Sequence, residues 1–161
     1  MKTAAVAKAQ QHDETIVAKG EHFVQMLQSI ELLHRRFLDV LTAELGQRDK
    51  TLSSVQALIL SHAYGKRVSM GELQALGHYE GTNLAYNVGK LAEGGYVTLA
   101  RPQWDKRSSL IELTAEGRDV AHLVSRLLAN HAGALAEAGI NEADLSLTTR
   151  MLNGLNRLWS V

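Results

Sequence analysis

The chain has 161 residues, 45% of them hydrophobic and 21% charged, which suits one soluble domain with a proper core and is short for two. Its 17 basic residues balance 17 acidic ones, so no global positive balance advertises nucleic acid, although a local patch fits within a neutral chain. It contains no cysteine, which excludes disulfides, thiolate catalysis, cysteine redox sensing and cysteine-type zinc sites.

The opening stretch "MKTAAVAKAQQHDET" has lysines but no apolar segment of the kind a signal peptide needs. No run of about 18 apolar residues spans a bilayer, so a cytoplasmic protein without membrane contact is expected. Residues 1–13 read as a flexible start. Glu14 to Leu45 then reads as one long helix with two apolar stripes, Phe23, Leu27, Ile30, Phe37, Leu41 and Leu45 on one and Met26, Leu33 and Val40 on the other. Two apolar faces suggest a helix sandwiched between its own domain and a partner chain. After "GQRDKT" comes "LSSVQALILSHAYG", where Ser53 and Gln56 have capping-box spacing. "SMGELQALG" repeats the device with Ser69 and Glu72.

A third short helix is expected from Thr82 to about Glu93, stopped by Gly94-Gly95. Leu84, Val88 and Leu91 make its apolar stripe, leaving Asn83, Tyr86, Asn87 and Lys90 for the outer face. A solvated helix is usually faced with long flexible side chains, whereas this face has amides, an aromatic ring and a single cation. Two runs rich in Val, Leu and Ile follow, Tyr96–Arg101 and Ser108–Leu113, around a polar segment holding Pro102, the sole proline. They predict a β-hairpin with a long basic loop. Thr114 caps a helix to about Ala138, with Val120, Val124, Leu127, His131 and Leu135 on one side. Asn141 starts the last helix, striped by Leu145, Leu152, Leu155 and Trp159.

The predicted fold is therefore mainly α with a small β-hairpin wing: a winged helix-turn-helix at 52–114, flanked by long helices at 14–45 and 115–161. Residues 52 to 118 resemble the multiple antibiotic resistance regulator (MarR) family. "LSSVQ", "SMGEL", "NVGKLAEGGYV" and above all "DKRSSLIELTAEG" match its elements in order and spacing. The resemblance implies a single domain over 14–161 whose long helices dimerise, through positions such as Phe23, Leu27, Leu152, Leu155 and Trp159. It implies a homodimeric regulator, in the usual case a repressor, on a pseudo-palindromic operator of double-stranded DNA.

By the same resemblance Thr82 to Lys90 is the recognition helix. Asn83 and Asn87 suit adenine, Thr82 suits base or phosphate, and Tyr86 and Lys90 suit phosphates. The competing reading is a solvated helix capped by Thr82. Many relatives carry Arg or Ser where Ala85 and Tyr86 stand, so the wing has to supply charge through Arg101, Lys106 and Arg107, with Asp105 bracing the loop. Trp104 is expected either to pack on the DNA sugar edge or to fold under that loop, and Lys66 and Arg67 are expected near the DNA backbone. Family members often take a small aromatic or anionic ligand between the long helices and the winged part; His34, Gln56 and His62 are the polar candidates here. The seven histidines show no i, i+4 pair, so neither a metal (for instance at Glu21, His22 and His122) nor a cofactor is expected. No catalytic spacing points to an enzyme. The alternative is a winged-helix protein-interaction module that has lost DNA binding.

Overall fold

In the computed structural model the backbone is described for residues 2–48, 50–77, 79–100 and 109–159, and side chains from residue 19 onward. The chain forms two compact units, Met1–Val55 and Gln56–Val161.

The first unit is built on helix α1, Lys2–Gly46. It begins twelve residues before the expected start at Glu14. The stretch "KTAAVAKAQQ" that was read as frayed is rich in Ala, Lys and Gln, which have high helix propensity, and holds no breaker. Leu41 and Leu45 are buried, whereas Phe23, Val24, Ile30, Leu32, Leu33 and Val40 are exposed. Apart from Leu41 and Leu45, much of the apolar surface of α1 is uncovered within one chain.

The remaining elements, in order, are α2 (Ser54–His62), β1 (Val68–Ser69), α3 (Met70–Gly77), α4 (Gly81–Glu93), β2 (Val97–Ala100), β3 (Leu110–Leu113), α5 (Ala115–Ala134) and α6 (Glu142–Trp159). Ser53 stands at the N-cap position of α2. The second capping box closes as expected: Glu72 Oε2 accepts from the Ser69 backbone N–H at 2.7 Å, and Ser69 Oγ accepts from the Glu72 N–H at 3.2 Å. The hairpin is part of an antiparallel sheet of order β1-β3-β2. Its middle residue Ile111 pairs with Val68 on one side and Leu99 on the other, and is fully buried. Around it Ile59, Leu60, Leu73, Leu84, Leu91, Val97, Val120 and Val124 complete the core. Burying each such side chain contributes roughly 1.5–3 kcal/mol.

Two joints fix how α4 meets the wing. At the end of α4, Gly95 takes φ 76°, so that the Tyr96 N–H reaches the Leu91 carbonyl (2.9 Å) and the Gly95 N–H that of Ala92 (3.1 Å). This is a Schellman ending, and it needs a residue at ease in the left-handed region. At the start of α5, Thr114 donates its N–H to Tyr96 O (3.1 Å) and its hydroxyl to Gly95 O (2.8 Å). Its Oγ1 also accepts from the Gly117 N–H (3.2 Å). One threonine thereby ties the α4 turn, the first wing strand and α5 together.

Helix α5 ends at Ala134, four residues before the expected limit. The chain there turns through Gly139 at φ 74°, with Ile140 N bonded to Leu135 O at 3.0 Å. His131, read with the apolar side of this helix, is exposed in the single chain. Helix α6 has the expected Asn141 cap, whose Oδ1 accepts from the N–H groups of Ala143 (2.8 Å) and Asp144 (3.1 Å). It contains no buried residue, and Leu145, Leu147, Met151, Leu158 and Trp159 are exposed.

Candidate nucleic-acid interface

Helix α4 is amphipathic, but its faces divide differently from the sequence reading. Leu84, Asn87, Val88 and Leu91 are buried. Asn87 was expected on the outer face, yet it is 8% exposed. The geometry explains this: Asn87 lies three residues after Leu84 and four before Leu91, on the packed side of a 3.6-residue helix. Only its polarity argued otherwise. The buried amide is satisfied, because Asn87 Nδ2 donates to the Asn83 carbonyl at 2.9 Å and to Asn83 Oδ1 at 2.6 Å.

Thr82 is not the N-cap. Glu80 holds that position with extended backbone and no side-chain cap bond, and Thr82 is the second helical residue, exposed. The outer face that remains carries Thr82, Asn83, Ala85, Tyr86 and Lys90. Tyr86 is 64% exposed. Asn83 has one lone pair engaged by Asn87, which leaves its two N–H donors and a second lone pair for an outside partner. That is the donor-plus-acceptor pattern that pairs with adenine in a major groove. Lys90 Nζ meets Glu93 Oε2 at 2.7 Å, and this hydrogen bond and charge raise the lysine's pKa. Both side chains are largely solvated, so the pair adds little stability. It does give the sole cation of the face a competing partner.

Tyr79 stands just before α4. Its hydroxyl lies 3.2 Å from His62 Nδ1, and the rings are 5.9 Å apart. Burial, and then the charge of Lys66, lower the His62 pKa, while burial raises that of Tyr79. Gly77 leaves room for the Tyr79 ring, which would occupy the place of a Cβ there. His62 and Gln56 are half-buried on α2, whereas His34 is exposed on α1 in the other unit.

Lys66 and Arg67 are exposed on the loop from α2 to β1. Arg67 Nε pairs with Glu112 Oε2 of β3 at 2.9 Å. The wing residues Arg101, Trp104, Asp105, Lys106 and Arg107 lie outside the described residues. Of the apolar positions read as a dimer surface, Phe23 and Trp159 are exposed and Leu27, Leu152 and Leu155 half-buried. Sequence reasoning missed two pairings. Arg67–Glu112 joins the loop before β1 to β3, and Tyr64 Oη lies 2.6 Å from His122 Nε2, 58 residues away. Neither has a local spacing that could have revealed it.

Comparison with known proteins bears on this arrangement. Residues 52–117 match a family model described as a winged helix DNA-binding domain. The exopolysaccharide II synthesis transcriptional activator ExpG of Rhizobium meliloti (strain 1021) is 29% identical over 138 residues, covering 85% of this chain and 71% of the relative. A MarR family transcriptional regulator from Listeria monocytogenes, complexed with 26mer DNA, is similar with TM-score 0.70 and 18% identity, over 81% of this chain and 86% of the other. Staphylococcus aureus MarR in complex with salicylate and kanamycin is similar with TM-score 0.66 and 18% identity, over 83% and 89%.

Proposed function

We propose that the chain is a DNA-binding winged-helix regulator of the MarR type that acts as a homodimer on an inverted-repeat operator in double-stranded DNA, a reading supported by the winged-helix match over residues 52–117 and by the likeness in fold to a MarR family regulator. The observation that carries the reading is the outer face of α4, where exposed Thr82, Asn83, Tyr86 and Lys90 stand opposite the buried Leu84, Val88 and Leu91. Asn83 reads a base, and Thr82, Tyr86 and Lys90 take neighbouring phosphates. Lys66 and Arg67, with Arg101, Lys106 and Arg107 of the wing steadied by Asp105, add backbone and minor-groove contacts. Asn87 acts from the packed side by orienting Asn83.

Dimerisation is supported by the uncovered apolar residues of α1 and α6. A chain with Phe23, Val24, Ile30, Leu145, Met151, Leu158 and Trp159 exposed has apolar surface that a second copy would cover. Two-fold symmetry then places two α4 helices in successive major grooves. Repression follows where the operator overlaps a promoter; ExpG is named an activator, and operator position decides between the two. A small aromatic or anionic ligand would act by favouring a different spacing of the two winged parts, shifting a population. The setting is the cytoplasm, where the chromosome is reached directly.

The test is selection of duplexes from a random pool, followed by titration of the winner against the parent, Asn83→Ala and Met151→Glu. An inverted repeat is expected, with Asn83→Ala losing discrimination at one position per half-site, worth about 1–3 kcal/mol. Met151→Glu should sediment as a monomer and bind half-sites weakly. No enrichment at low salt, from a protein shown to be a folded dimer, overturns this reading in favour of a protein-interaction module.

A further inference from the structure

Lys66, Arg67 and Arg118 line one cleft of about 280 Å³ in the second unit. The first two come from the loop after α2, which turns at Gly65 with φ 74°; the third comes from the first turn of α5. Among the described lining residues Glu112 of β3 is the only carboxylate. Three cations against one anion (3 − 1) leave a lining charge of +2, in a chain whose formal net charge is zero.

The bonds within the cleft position these cations without neutralising them all. Arg118 Nη1 donates to the backbone carbonyl of Leu113 at 2.9 Å, so this guanidinium is held by a neutral group. Arg67 gives Nε to Glu112 at 2.9 Å. A guanidinium has five N–H donors, and each of these contacts uses one. Two steadied forks and an ammonium around a concave wall match the geometry of a carboxylate or phosphate. The volume lies just under the range of about 300–1,000 Å³ usual for ligand pockets, which limits the occupant to an anionic head on a small body. His34, Gln56 and His62 do not line this cleft.

We propose that this cleft binds a small oxyanion, a metabolite bearing one carboxylate or phosphate, at the root of the wing. The anion and Glu112 share Arg67, whose next residue Val68 pairs with Ile111 of β3, so occupancy is felt in the sheet that carries the hairpin. The proposal does not depend on the DNA reading, because it concerns the free protein. The same chemistry could reach the cleft on a duplex backbone, and the experiment separates the two sources.

The full chain, labelled with ¹⁵N, is titrated with inorganic phosphate and separately with benzoate, against sodium chloride at matched ionic strength. Saturable shifts confined to the amides of Lys66, Arg67, Glu112, Leu113 and Arg118 are expected for at least one probe. The affinity should fall at least tenfold in both Arg67→Gln and Lys66→Gln, which alter exposed side chains and leave the fold intact. Shifts that stay linear, that sodium chloride reproduces, or that survive both substitutions overturn the proposal. So does a duplex titration in which both variants lose affinity while neither free anion saturates, because the cleft then serves the DNA backbone.

Discussion

Gly117 offers a substitution whose sign is decided by two opposing effects of known size. Helix propensity alone makes Gly117→Ala stabilising by about 1 kcal/mol, since alanine loses less backbone freedom on folding. The structure says otherwise. A Cβ at residue 117 would come closer than 3.0 Å to the Tyr96 carbonyl oxygen, with Leu113 Cβ 3.5 Å away. That oxygen cannot yield freely, because it accepts from Thr114 N (3.1 Å) and has Thr114 Oγ1 3.1 Å away. Relief requires α5 to draw back from the wing strand, which costs about 1–3 kcal/mol of overpacking and about 1 kcal/mol of the Thr114 cap. The net expectation is a loss of roughly 1–3 kcal/mol after the propensity gain is subtracted. Gly89, in the interior of α4 with nothing within 4 Å of its virtual Cβ, is the control, and Gly89→Ala should gain about 0.5–1 kcal/mol. Urea unfolding at one fixed protomer concentration, needed because association adds to apparent stability, measures both. If Gly117→Ala unfolds at the same or higher urea than the parent, the close approach of α5 to Tyr96 is refuted.

Three further outcomes are expected. Glu93→Gln frees Lys90 from its 2.7 Å partner, so duplex affinity should rise several-fold and the salt dependence steepen by about one phosphate contact, measured by titration at a series of salt concentrations. Glu72 has its pKa lowered by the Ser69 N–H, then by the Ser69 hydroxyl; its contribution is present above the ordinary carboxylate value and lost as pH falls through the lowered one. Unfolding curves of the parent and Glu72→Gln should therefore differ at neutral pH and converge in acid. His62 has its pKa lowered, first by burial, so the unfolded chain takes up the proton before the folded one; stability should fall as pH drops from the ordinary histidine value through the lowered one. In His62→Gln, denaturation midpoints followed over that window should lose this component of the slope.

The parts of the fold legible in the sequence were those decided within four residues. The Ser69–Glu72 box, the Thr114 cap and the Asn141 cap are each a side chain answering a backbone N–H two or three positions away, so spacing alone reveals them. The hairpin was legible from its apolar runs, and the winged order from the succession of elements. Strand β1 was not, because two residues carry no periodicity and its pairing with β3 spans more than forty positions. Arg67–Glu112 and Tyr64–His122 were hidden for the same reason. The N-terminal extension of α1 was missed because a polar, alanine-rich stretch looks unstructured when judged by apolar stripes. Asn87 was misplaced because side-chain polarity was allowed to outweigh helical phase.

The Asn83–Asn87 pair also bears on how such a surface changes over evolutionary time. The amide that faces outward is braced by one that faces inward, so its conformation is chosen before any partner arrives. Ordering an exposed side chain on association costs about 0.5–1.5 kcal/mol, and here part of that ordering is already complete. A replacement at the concealed position would let the outer amide turn or sample several rotamers, altering what the helix displays without touching a single displayed residue. An interior change can therefore alter the display of α4 while every exposed residue of the helix stays the same.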